Sequence, residues 1–178
     1  ALLNSPRILV KQDNAPHYFF APCPRGLAGV LGEELPELGA KDVKPAEAGV
    51  AFTGAYDLVY IANLHSRIAS RILWRVAQFP YKTEEDIYQG AAAVRWSHHF
   101  NADRTFKVET NAHRSPVKSL DFITLKVKDA IADQFRQAVG RRPSVESREP
   151  DIRVHVFLDE RTCTLYVDTS GESLFKRG

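Results

Sequence analysis

The sequence predicts a mixed α+β or α/β fold built in two lobes. Three observations predict it: strand and helix periodicities alternate along the chain, Gly and Pro punctuate them at short intervals, and the alternation begins afresh after a linker near Pro80 to Thr83. At 178 residues the chain has room for one ordinary domain or two small ones with real cores.

Residues 1 to 16 lack periodicity and carry Asn, Pro and Asp, so they are read as an N-terminal extension. "HYFFAPC" suits a buried strand. In "PRGLAGVLGEELPELGA", Leu27, Val30, Leu31, Leu35 and Leu38 recur at helical spacing, Gly39 is placed to end the helix, and Pro36 should bend or shorten its last turn. "DVKPAEAGVAFTG" gives two short strands around Gly49, the second with Val50 and Phe52 on one side and Gly54 as its stop. "AYDLVYIANLHSRI" is a helix burying Leu58, Ile61, Ala62 and His65 or Leu64, and "SRILWRVAQF" is a strand. Strand, helix, strand, strand, helix, strand over residues 17 to 80 is the split βαβ order of a ferredoxin-like domain.

The second lobe, residues 81 to 178, opens with "TEEDIYQGAAAVRW". Thr83 is the N-cap, Asp86 lies three residues on, and the acidic first turn suits the helix dipole. "RTFKVET" alternates, Phe106 and Val108 to one side, Lys107 and Glu109 to the other. After the loop "NAHRSPVKS" comes a long helix. With Val127 at zero on its wheel, Leu120, Ile123, Ala130, Ile131, Phe135 and Ala138 fall within about 80° and form a core-facing stripe. "DIRVHVFL" and "CTLYVDTSG" are strands joined at "DERT", with Ile152, Val154 and Val156 inside on the first and Cys163, Leu165 and Val167 inside on the second.

Composition excludes several classes. No run approaches eighteen apolar residues, and Leu2-Leu3 and Ile8-Leu9-Val10 are too short for a signal-peptide core, which leads us to expect a cytoplasmic protein. Cys23 and Cys163 form no CxxC spacing and are read as thiols in a reducing compartment. In "WSHHFNAD", His98, His99 and Asp103 do not make a metal site, because adjacent helical residues diverge by about 100°. Neither GxSxG, HExxH, a phosphate-cradling GxxxxGK[ST] nor a dinucleotide glycine fingerprint occurs, and no partner is identified to activate Cys23. The sequence thus offers no catalytic residues. The lack of methionine and the abrupt end at "SGESLFKRG" lead us to expect a piece of a longer protein.

The net charge of +2 is uninformative, but its distribution is not. From Arg104 to Arg142 nine Lys and Arg residues face four acids, a local charge of +5. Within the long helix, Lys126 lies one turn before Asp129 and Asp133 one turn before Arg136, so those cations are read as a solvated face. The helix ends differ. His113, Arg114 and Lys118 have no acidic neighbour before Asp121, and Arg141 and Arg142 stand together on a Gly-Pro turn. A phosphate backbone would account for such clusters; pairing of the two arginines with Glu146, Glu149 and Asp151 is the alternative. The outer face of the strands adds Lys107, Arg153, His155 and Tyr166, a pattern that suits single-stranded RNA or a face that simply receives a helix.

The segments "PRGLAGVLGEELPELGA", "GVAFTG", "LHSRIASRIL", "TFKVET", "LKVKDAIADQF", "RRPSVESREPDIRVHVFL" and "DTSGESLFKRG", in this order, resemble the N-terminal RNA-binding half of bacterial large-subunit ribosomal RNA guanine-N2-methyltransferases. The resemblance covers residues 17 to 178 and implies a ferredoxin-like domain followed by a THUMP domain. It further implies that a catalytic domain, absent here, follows Ser170-Gly171, Leu174 and Arg177-Gly178, binds S-adenosylmethionine and carries an Asn-Pro-Pro-Tyr-type motif. The chain itself would hold no cofactor and would deliver a guanine of 23S rRNA to that domain. Basic residues in the family-like segments are Lys107, Lys126, Lys128, Arg136, Arg141, Arg142 and Arg153, whereas His113, Arg114 and Lys118 lie in a less family-like loop and rest on charge alone. Pro36 and the leader depart from the pattern. Two other functions stay open: a THUMP arm of a tRNA-modifying enzyme, and a ferredoxin-like module for metabolite sensing or oligomerisation without RNA.

Overall fold

The computed structural model describes residues 16–46, 48–65 and 71–169, which belong to two compact units, one up to residue 70 and one from residue 71 onward. The first holds β1 (His17–Pro22), α1 (Ala28–Glu37), β2 (Lys41–Pro45), β3 (Gly49–Gly54) and α2 (Leu58–His65). β3 pairs antiparallel with β1 and with β2, setting Phe19 opposite Phe52 with stacked rings 5.4 Å apart. Leu31 and Leu35 of α1 and Leu58 and Ala62 of α2 are buried as their spacing demands, whereas Leu27 and Val30 are exposed, so the apolar stripe of α1 is narrower than expected. Pro36 is held inside α1, and the helix closes with tightened bonds from the Leu38 and Gly39 N–H groups to the Leu35 and Pro36 carbonyls. Gly39 then turns the chain at φ +106°, a conformation that a side chain disfavours. The readings of the leader, of Ile61, Leu64 and His65 as buried, and of the segment from residue 170 lie outside the residues and side chains described.

The second unit holds β4 (Leu73–Pro80), α3 (Glu84–Ala92), a 3₁₀ turn (Trp96–His98), β5 (Phe106–Ala112), α4 (Leu120–Val139), β6 (Ile152–Leu158) and β7 (Thr162–Asp168). The element order over residues 17 to 80 is therefore βαββαβ. β4 runs antiparallel along β7, from Leu73 opposite Asp168 to Pro80 opposite Thr162. β7 pairs antiparallel with β6, and β6 parallel with β5, the last two joined through α4 as a parallel pair requires. The two-residue alternation puts Phe106, Val108, Ile152, Val154, Val156, Cys163, Leu165 and Val167 into one core with α3 and α4. Trp96 is fully buried there, its indole N–H donating to the Ala91 carbonyl at 2.8 Å.

Thr83 and Asp86 form the expected capping box: the Thr83 hydroxyl accepts from the Asp86 N–H, and the Asp86 carboxylate accepts from the Thr83 and Lys82 N–H groups. Those backbone donors, Lys82 first, hold the Asp86 carboxyl below its ordinary range. α4 buries Ile123, Val127, Ala130, Ile131 and Phe135, but Leu120 and Ala138 are exposed, correcting the expected stripe at both ends. The two residues lie in the outermost turns of a twenty-residue helix, about 30 Å long, whereas its buried side chains are confined to the turns between. Gly140 ends α4 at φ +74°, its N–H donating to the Arg136 carbonyl.

Candidate nucleic-acid interface

The loop between β5 and α4 is built on a buried hydroxyl. Tyr81 donates to the Asp159 carbonyl at 2.6 Å and lies 2.6 Å from the Ser115 hydroxyl, whose oxygen also accepts from the Val117 N–H. His113 N–H donates to the Leu158 carbonyl, Arg114 takes a left-handed φ of +57°, and Ser119 caps α4 by accepting from the Phe122 N–H. These bonds order the loop from both sides. His113, Arg114 and Lys118 project from it exposed, and none has a carboxylate within ion-pair distance among the described residues.

The cations of α4 separate into two groups. Lys126 pairs with Glu85 of α3 at 3.6 Å and lies over the Tyr88 and Phe122 rings, so its partner is not Asp129 as helical spacing suggested. Arg136 does pair with Asp133, at 3.9 Å, and Asp133 also accepts from the Tyr88 hydroxyl, which raises the Tyr88 pKa. Lys128 has no acid in reach among the described residues. Beyond the helix, Arg141 bonds Asp103 rather than Glu146, Glu149 or Asp151. Asp151 accepts from the Thr105 N–H and Glu146 from the Arg148 N–H, so those carboxylates are engaged elsewhere. Arg142, next in sequence, is exposed without an acidic partner among the described residues, and it lines one cleft together with Lys128.

The cations on the outer face of the strands converge on one carboxylate. Glu109 lies 3.1 Å from Lys107, 3.4 Å from Arg153 and 3.6 Å from His155 Nδ1. Burial pushes its carboxyl upward, but the Lys107 hydrogen bond and the charges of His155, Lys107 and Arg153 outweigh it and hold the pKa low. His155 is only 7% exposed. Desolvation, reinforced by the Arg71 guanidinium, pushes its imidazole pKa down, and Arg71 Nη1 lies 3.4 Å from Nε2. The neutral ring is satisfied with Nε2 accepting from Arg71 and the Nδ1 proton toward Glu109. Tyr166 is half-buried, with its hydroxyl pKa raised by desolvation.

In the "WSHHFNAD" stretch, His99 meets Trp74 edge-on at 4.8 Å and Asp103 holds Arg141. Among the described residues there is no cluster of three potential metal ligands and no helix long and apolar enough to cross a membrane. The loop thus gathers His113, Arg114 and Lys118, and the cleft gathers Lys128 and Arg142. The loop precedes the N-terminus of α4, and the cleft lies along its flank. Sequence reasoning missed Tyr81 as the loop's anchor and Asp103 and Glu85 as the partners of Arg141 and Lys126. Contacts spanning 34, 38 and 41 positions leave no local periodicity to find.

Comparison with known proteins agrees with this architecture. A model of the RlmL ferredoxin-like domain matches residues 18–73, and a model of the THUMP domain matches residues 81–168. The chain is 39% identical over 165 residues to a ribosomal RNA large subunit methyltransferase K/L of Syntrophotalea carbinolica, covering 93% of the chain and 23% of that protein. It is 43% identical over 160 residues to the protein of the same name from Methylococcus capsulatus, covering 90% of the chain and 22% of that protein. The chain therefore spans less than a quarter of the length of these curated relatives. Among solved structures, SMU.472, a putative methyltransferase complexed with SAH, superposes with a TM-score of 0.76 at 28% identity, over 92% of this chain and 44% of that one. With the two domain models matched in this order, the chain carries an RlmL-type ferredoxin-like domain followed by a THUMP domain, and it matches these methyltransferase relatives along nearly all its own length.

Proposed function

We propose that the chain is the RNA-binding arm of an S-adenosylmethionine-dependent 23S rRNA guanine-N2-methyltransferase, positioning rRNA for a catalytic domain that follows in cis in the cytoplasm. The observation that carries this reading is the set of cations without carboxylate partners among the described residues, Arg114, Lys118, Lys128 and Arg142 with His113 beside them, on the unit that matches the THUMP model. Internal pairing accounts for Lys107, Lys126, Arg136, Arg141 and Arg153, which in this reading act through their longer-range field. Leaving the other cations unpaired costs self-repulsion that a polyanion relieves. Lys118 precedes α4 whereas Lys128 and Arg142 line a cleft on its flank, so the two groups offer separate contacts to an extended polyanion. The names of the curated relatives favour ribosomal RNA over tRNA.

Arg114→Glu with Lys118→Glu should weaken binding to 23S rRNA fragments at least about tenfold while leaving the melting temperature unchanged, since charge-assisted contacts contribute about 1.5–3 kcal/mol each. Arg136→Gln, which removes a cation already paired with Asp133, should change affinity little. Undiminished binding by the loop variant would assign the loop to structure, and tighter binding of tRNA than of rRNA would replace the substrate named here.

A further inference from the structure

A cleft of about 330 Å³ opens between one flank of α4 and the segment that leaves it, lined by Lys128, Asp129, Ala132, Arg142 and Val145 above Phe106. Its far wall is fixed by the backbone. Phe106 N–H donates to the Ser144 carbonyl, Glu146 N–H donates to the Phe106 carbonyl, and Val145 bridges Phe106 in parallel, so residues 144–146 form a short strip along the open edge of β5. Gly140 and the buried Pro143 bring the chain into that strip and set Arg142 at its mouth.

The chemistry of the lining is selective. Lys128 and Arg142 have no acid in reach, and Asp129 has no cation in reach, among the described residues. A bare phosphate would gain the two cations but meet the Asp129 carboxylate. A nucleotide meets all three requirements: its phosphate faces Arg142 and Lys128, a ribose hydroxyl or a base N–H donates to Asp129, and its apolar surface covers the half-exposed Val145 and Ala132. The volume lies within the range of small-ligand sites.

We infer that this cleft is a binding site for one 5′-phosphorylated nucleotide, presented by an unpaired residue of an RNA strand. The chemical class follows from the cleft itself; that RNA supplies the nucleotide rests on the RNA-binding reading above. The test is an amide-shift titration of the chain with guanosine monophosphate, guanosine and inorganic phosphate in turn. The monophosphate should move the amides of residues 128–132 and 142–145, with guanosine and inorganic phosphate at least tenfold weaker, and a 5′-phosphorylated single-stranded oligonucleotide should displace it. Lys128→Gln with Arg142→Gln should abolish the shifts. Asp129→Asn should weaken the monophosphate and strengthen inorganic phosphate, a reversal that mere loss of structure would not produce. Undisturbed amides at millimolar monophosphate, or inorganic phosphate binding as tightly as the nucleotide, would overturn the site. RNA binding that persists in the double Gln variant while the monophosphate fails to bind would leave the arm's RNA function standing on the loop alone. Monophosphate binding that no oligonucleotide displaces would instead overturn RNA as the source.

Discussion

His155 shows how a single residue's surroundings set a measurable property. Its ring faces Arg71 at Nε2 and Glu109 at Nδ1, with Asp168 and Arg153 nearby, and desolvation leads the effects that lower its pKa from the ordinary 6.5. A lowered folded-state value means that the unfolded chain takes up the proton more readily. The stabilisation is therefore complete above pH 6.5 and lost as the pH falls below it toward the folded-state value. Glu109 and Asp86, also lowered, contribute above their ordinary 4.5 and 3.8 and are lost at lower pH, leaving the upper window to His155 among these three groups. Thermal denaturation between pH 7.5 and 5.5 should show a falling melting temperature that is flattened in His155→Gln; an equal fall in both proteins would contradict this assignment. Tyr81 gives a second prediction. Tyr81→Phe removes the bonds to Asp159 and Ser115 and should cost about 1 kcal/mol in urea denaturation. At this scale His113, Arg114 and Lys118 were legible as uncompensated because charge neighbours in a loop are local in sequence. The partner of Arg141 was not, because Asp103 is 38 positions away.

At the scale of elements, the patterns that a helix or strand imposes on itself were readable and those imposed by neighbours were not. The capping box of α3, the two-residue alternation of β5, β6 and β7 and the glycine stop of α4 all follow from local geometry. The overhang of Leu120 and Ala138, the exposure of Val30 and the switch of Lys126 from Asp129 to Glu85 depend on where the opposing surface ends. Gly90 is an instance: nothing in "IYQGAAA" says why a glycine sits within α3, yet a Cβ there would lie 2.3 Å from the Phe79 ring of β4. Gly90→Ala should destabilise the protein by about 1–3 kcal/mol in urea denaturation despite the better helix propensity of alanine. A stabilised variant would show that the ring moves aside freely.

For the whole molecule, the βαββαβ order and the second α/β region were legible from alternation and punctuation. The pairing of β4 with β7 was not, since strand order in a sheet is set by contacts between distant segments. Charge segregation was legible as a sum but not as a surface: pairing engages five of the named cations, and among the described residues those without a carboxylate partner include Arg114 and Lys118 of the β5–α4 loop and Lys128 and Arg142 of the cleft on the flank of α4. The central claim is that these groups hold RNA phosphates. Its most direct test is the affinity of the chain for an rRNA fragment as a function of salt. Arg114, Lys118, Lys128 and Arg142 together predict a slope of log affinity on log salt of about −3, at about −0.7 per single-strand contact, whereas a slope near zero would contradict the account.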